Sequence, residues 1–208
     1  MNSATQNLTL EGEVGVIEAL LDAPAGLQAR GTAVIAHPHP LFGGTMHNKV
    51  VQTLARAFVQ CGWQAVRFNF RGVGASAGQY DEGRGEALDM VRVIVQTAAS
   101  GPLALAGFSF GAFVTSHVVN MLGTERAPEK LVLVGTAASR FDVAPVPQEL
   151  HARTLVLHGE QDDTVSLQSV MDWARPQSLP ITVIPGVSHF FHGQLPLLKT
   201  LVVGHVQA

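Results

Sequence analysis

At 208 residues, with 47% hydrophobic and 14% charged side chains, the chain is ordinary for a globular protein and long enough to bury a sizeable core; it is read as one domain over residues 1–208. A net charge of −3 with no basic cluster argues against nucleic acid as a partner, and no apolar run approaches the roughly eighteen residues of a membrane span. The start at Met1 has no basic region followed by an apolar core, so no signal peptide is expected, and the lone Cys61 excludes an internal disulfide; together these give the expectation of a cytoplasmic protein.

Residues 8–12 and 14–21 read as the two strands of a starting hairpin, closed off by Asp22-Ala23-Pro24-Ala25-Gly26. Residues 32–36 form a continuous apolar run, the pattern of a strand covered on both faces, and empty into His37-Pro38-His39-Pro40-Leu41-Phe42-Gly43-Gly44-Thr45. Val50, Val51, Leu54, Ala57 and Phe58 then recur at helical spacing, up to Cys61-Gly62. Residues 64–70 are the next strand, followed by the glycine-rich loop 71–78. A helix from about Gly85 is expected to turn Ala87, Leu88, Val91, Ile94 and Val95 to the core. Strands at 103–106, 130–135, 154–159 and 181–184 follow, with helices after 111, around 166–174 and after His189. This alternation predicts an α/β fold, an open and mostly parallel sheet with helices on both faces.

Gly107-Phe108-Ser109-Phe110-Gly111 falls at the junction of strand 103–106 and the following helix. A serine on such a turn is lifted clear of the sheet edge, and the backbone N–H of the next residue points at the same spot. In an open parallel sheet, ligands bind beyond the carboxyl ends of the strands. Ser109 ends one strand, His158-Gly159-Glu160-Gln161-Asp162-Asp163 ends a later one, and Pro185-Gly186-Val187-Ser188-His189 the last. The order serine, acid, histidine suits nucleophilic catalysis: imidazole takes the hydroxyl proton as attack proceeds, and a carboxylate holds the imidazole in the right tautomer. Among nine histidines, His189 alone follows a strand through a Pro-Gly loop, whereas His192 is expected inside the closing helix. For the acid, Asp162 is preferred over Asp163, expected at the helix side, and over Glu160; His158 is expected to anchor the acid loop.

A tetrahedral intermediate also needs donors for its negative oxygen. One is expected from the Phe110 amide. The other should come from the loop after residue 36, where Pro38 and Pro40 have no N–H and His39, Leu41 and Phe42 remain; Leu41 is preferred because Gly43-Gly44 follow it. Phe42, Phe108, Tyr80 and Phe190 are expected to line the substrate site. His37-Pro38-His39 lacks a third ligand for a metal, and Gly72-Val73-Gly74 lacks the third glycine of a phosphate cradle, so no metal and no cofactor are expected.

Taken together, Gly107-Phe108-Ser109-Phe110-Gly111, His39-Pro40-Leu41-Phe42-Gly43-Gly44, Arg71-Gly72-Val73-Gly74-Ala75-Ser76, His158-Gly159-Glu160-Gln161-Asp162 and Gly186-Val187-Ser188-His189-Phe190 resemble the α/β-hydrolases. The stretch from His37 to Val51 is similar to the small lidless bacterial members. The resemblance implies Ser109 as nucleophile, Asp162 as acid and His189 as base, with Leu41 and Phe110 as oxyanion donors; His39-Pro40 stands where many relatives have His-Gly. Residues 136–153, with Pro145 and Pro147, are too few to fold as a cap domain. The expectation is a carboxylesterase-like serine hydrolase of small acyl esters, thioesters or lactones, acting on a small molecule with no membrane or nucleic-acid partner. A dienelactone- or peptide-directed hydrolase of the same mechanism, and a non-catalytic relative that binds a small molecule, are the alternatives.

Overall fold

The computed structural model describes residues 5–26 and 28–208; Met1 to Ala4, part of the stretch read for a leader, lie outside them. Strands β1 (Thr5–Gly12) and β2 (Gly15–Asp22) form the opening hairpin. They are followed by β3 (Thr32–Ala36), α1 (Lys49–Gln60), β4 (Gln64–Phe68), α2 (Arg84–Thr97), β5 (Leu103–Phe108), α3 (Phe110–Leu122) and β6 (Lys130–Val134). The chain closes with β7 (Thr154–Gly159), α4 (Leu167–Ala174), β8 (Ile181–Ile184) and α5 (Leu195–Gln207). The eight strands form one sheet in the order β1-β2-β4-β3-β5-β6-β7-β8, antiparallel through β1, β2 and β4 and parallel from there on.

Alternate residues of the buried strands feed two cores. Val34, Ala36, Val66, Leu105 and Leu133 face α2, α3 and α4, while Ala33, Ile35, Ala65, Ala104 and Ala106 face α1 and α5. Both faces of the central strands are therefore apolar, as a doubly covered parallel sheet requires. Asn48 starts α1 by accepting the amides of Val50 (2.9 Å) and Val51 (3.4 Å). All five apolar residues placed on one face of α1 by periodicity are buried.

α2 keeps part of the expected face, with Ala87 and Ile94 buried and Val91 half-buried against the core, and departs from it elsewhere. Leu88 and Val95 are exposed, and Glu86, Asp89, Met90 and Val93 are buried. The reason is polar: Asp89 takes both Nε (2.8 Å) and Nη2 (2.9 Å) of buried Arg71, and Glu86 accepts the amides of Asp81 and Gly83. These contacts stitch the loop after β4 to α2, and a helix face chosen by hydrophobicity alone misses them.

The topology locates the site. From β3 the chain steps outward to β4, then returns across β3 to β5, with α1 and α2 on opposite faces. The strand order reverses about β3, so a crevice opens beyond the carboxyl ends of β3 and β5. The 135–153 segment carries only turns and one six-residue 3-10 turn, so that segment forms no cap over the crevice. No helix among the described residues is long and apolar enough to cross a membrane.

Candidate active site

Ser109 joins β5 to α3 with φ 57° and ψ −116°, a conformation that an L-residue adopts only under constraint. Its N–H donates to Val134 O at the end of β6 (2.8 Å), and its carbonyl accepts the Ala112 (3.0 Å) and Phe113 (3.2 Å) amides that open the helix. The flanking glycines are forced by close approach. A Cβ on Gly107 would lie 2.3 Å from Gly111 O, and one on Gly111 would lie 2.4 Å from Ala36 O. The second glycine thus lets the end of β3 rest directly on the first turn of α3.

Two loops complete a hydrogen-bonded chain. His189, five residues past β8, accepts the Ser109 hydroxyl at Nε2 (3.0 Å) and donates Nδ1–H to Asp162 Oδ2 (2.6 Å). Asp162 Oδ1 accepts the Thr164 (2.9 Å) and Val165 (2.7 Å) amides, which leaves Oδ2 aimed at the imidazole. Burial alone would raise the Asp162 pKa, but the bonds from His189 and the Val165 amide, with the nearby histidines, outweigh it and hold the carboxyl below its ordinary range. The acid is ionised at neutral pH.

The competing residues have other tasks. Asp163 is exposed and, among the described residues, accepts only the Thr164 hydroxyl (3.3 Å), and the N-cap of α4 is Ser166. Glu160 accepts the Gly186 amide (2.9 Å), tying the acid loop to the loop that carries His189. Buried His158 donates Nε2–H to Val165 O (3.0 Å), 3.6 Å from Asp162 Oδ2; among the described residues its Nδ1 has no partner, and burial pushes its pKa down. His192 is not in the closing helix. Gly193 (φ 75°) and Pro196 delay α5 to Leu195, which leaves His192 exposed in a turn. One contributor was not read from the sequence: Gly135 (φ 54°), where a Cβ would stand 3.1 Å from His189 Cε1. Its only signal is a glycine directly after an apolar strand.

The loop after β3 corrects the expected second oxyanion donor. The Leu41 N–H is directed back into its own turn, donating to His39 Nδ1 (3.2 Å), and Leu41 is 67% exposed. The Phe42 (3.1 Å) and Gly44 (3.0 Å) amides both go to His39 O. Among the described residues nothing accepts the His39 N–H, and the His39 ring lies 4.9 Å from that of Phe110. The Phe110 amide is at the first position of α3, where a helix supplies no acceptor.

The four aromatic residues expected at the rim divide. Phe42 (75% exposed), Phe190 (43%) and half-buried Tyr80 reach the surface, and Phe42 and Tyr80 each pack within 5.0 Å of the His39 ring. Phe108 does not line the site: it is 0% exposed, because β5 runs on to it, and its ring supports His189 from 4.9 Å. Both ring nitrogens of buried His37 are engaged by backbone, and no group of three or more His, Cys, Asp or Glu among the described residues is arranged to hold a metal ion.

Comparison with known proteins agrees with this architecture. The family described as "Serine aminopeptidase, S33" matches residues 28–148, over half of the chain. A lidless α/β serine hydrolase from Xanthomonas campestris superposes with a TM-score of 0.87 at 36% identity, covering 100% of this chain and 95% of its own. An α/β serine hydrolase homologue from Coxiella burnetii gives 0.80 at 37% identity, covering 96% of each chain. An uncharacterized protein of Rickettsia prowazekii is 32% identical over 178 residues, 76% of this chain and 71% of its own. With that match over residues 28–148 and this fold, the chain belongs to the serine aminopeptidase S33 family of the α/β-hydrolase superfamily.

Proposed function

We propose that the chain is a serine hydrolase of small carboxylic esters or thioesters, working as a single domain through an acyl-enzyme. The observation that carries this reading is the chain of hydrogen bonds from Asp162 through His189 to the hydroxyl of a strained Ser109. In the first step Ser109 Oγ bonds to the acyl carbon while its proton passes to His189 Nε2, and the carbonyl π pair moves onto oxygen. The Phe110 and His39 amides receive that oxyanion. Collapse breaks the bond to the leaving alcohol or thiol, which takes the proton from His189. Water then repeats the sequence on the acyl-enzyme and releases the acid. Asp162 stabilises the imidazolium in both halves.

Cleavage of a peptide at its free amino terminus is a second reading, favoured by the description of the matching family. Charge at the rim opposes it. Arg140, exposed beside His39, has no salt-bridge partner among the described residues. Of the acids near Tyr80, Glu82 lies 3.5 Å from Arg84 and Glu86 is bonded to backbone. A neutral or anionic substrate suits this rim better than an ammonium. The experiment is turnover of p-nitrophenyl acetate and butyrate, an acyl thioester and aminoacyl p-nitroanilides by the wild type and Ser109→Ala. Ester or thioester turnover lost in the variant supports the proposal. Faster cleavage of the anilides would move the assignment to an aminopeptidase, and no turnover by folded protein would favour a binding role.

A further inference from the structure

His37 directly follows β3 and is fully buried, and both of its ring nitrogens are assigned by what they face. Nδ1 lies 2.6 Å from Pro38 O, an acceptor, so it carries the proton; Nε2 lies 3.0 Å from the Phe70 N–H, a donor, so it does not. The imidazole is a neutral wedge between the loop after β4 and the Pro38–His39 peptide. That peptide is trans, as are the others described, so its carbonyl and its N–H point in opposite directions. β4 and β5 flank β3 on opposite sides. Pulling the Pro38 carbonyl toward the β4 side turns the His39 N–H toward the β5 side, where Ser109 stands.

From this geometry we infer that His37 is a positioning residue for the reaction: by clamping the Pro38 carbonyl it aims the His39 amide at the oxyanion. The inference rests on the functional reading above. It assigns the side chain of His37, which never touches substrate, a part in transition-state binding. Gly44 belongs to the same device, since a Cβ there would stand 2.0 Å from Pro38 O and would push the clamped carbonyl away.

The two nitrogens of the ring can be tested separately. The amide of His37→Asn sits near the Nδ1 position and keeps a donor for Pro38 O, whereas His37→Gln reaches the Nε2 position and loses the clamp. The assay is kcat and KM for a p-nitrophenyl ester, and Ki for phenylboronic acid, whose tetrahedral serine adduct resembles the intermediate. His37→Gln should lower kcat about tenfold to a hundredfold, part of the effect of losing a whole donor, with KM little changed and boronate affinity falling in proportion. His37→Asn should recover most of both. Gly44→Ala, which leaves the imidazole alone, should repeat the His37→Gln pattern. Equal losses in the Asn and Gln variants, a loss confined to KM, losses that track melting temperature, or full kcat in Gly44→Ala would overturn the inference. Ser109→Ala separates the two levels: if it keeps wild-type turnover the functional reading fails, and if it is inert while His37→Gln is not impaired, only the positioning role fails.

Discussion

Lowering the pH should destabilise this protein well above the range where carboxylates titrate, and His37 should be a main cause. In the folded chain its pKa is pushed down from 6.5 to about 4 by burial, against a smaller upward pull from the Pro38 carbonyl. In the unfolded chain the same imidazole titrates near its ordinary value. Above about pH 6.5 both states are neutral and the residue exacts no penalty. Below that, the unfolded state binds a proton that the folded state refuses, so stability falls with pH until about pH 4. Linkage across that window gives a loss of about 2 kcal/mol between pH 8 and pH 5, and about 3 kcal/mol by pH 4. Buried His158 and half-buried His205, whose pKa values desolvation also lowers, add in the same direction, so the His37 share is read as a difference. Urea unfolding at pH 8 and pH 5, followed by the fluorescence of Trp63 and Trp173, should show the wild type losing about 2 kcal/mol more than His37→Asn. Parallel pH dependence in the two proteins would refute the claim that His37 is held neutral by its surroundings.

Three further outcomes follow from the site and its supports. His189→Ala should remove ester turnover by several orders of magnitude, while His192→Ala, exposed and outside the hydrogen-bonded chain, should leave it near wild type; steady-state kinetics on the pair decides. Asp162→Asn should fold but lower kcat by roughly 10⁴-fold, because an amide at Oδ2 no longer fixes the imidazole tautomer. Arg71→Met leaves the Asp89 carboxylate buried without its partner and should cost about 3–5 kcal/mol in urea unfolding, with much of it recovered in the double variant Arg71→Met/Asp89→Leu.

What was legible in the sequence and what was not divides along physical lines. Thr32–Ala36, Thr154–Gly159 and Ile181–Ile184 match the expected strands at both ends, because an apolar run bounded by turn residues has little freedom in where it starts and stops. The loops that follow strands β5, β7 and β8 meet at one rim because parallel strands share a carboxyl edge, so the serine turn, the strand ends and the chain order together bring Ser109, Asp162 and His189 forward as a set. Side-chain hydrogen bonding is where the reading failed. The exposure of Leu88 and Val95 follows from the pairing of Asp89 with Arg71 and the capping by Glu86, long-range polar contacts that hydrophobic periodicity does not encode. The same holds for Leu41. Eliminating the prolines left three donors, and the choice among them turned on His39 Nδ1 folding back to take the Leu41 amide. Phe108 was misplaced for a simpler reason: β5 extends to residue 108, so its ring points into the core beneath His189.

The proposed chemistry requires Ser109 to be an activated nucleophile. A fluorophosphonate probe on the full chain, read by intact mass and then by peptide mapping, tests it most directly. One adduct per chain is expected, on Ser109, absent from Ser109→Ala and strongly slowed in His189→Ala. Folded wild-type protein that takes no label, or an adduct carried on another residue, would contradict it.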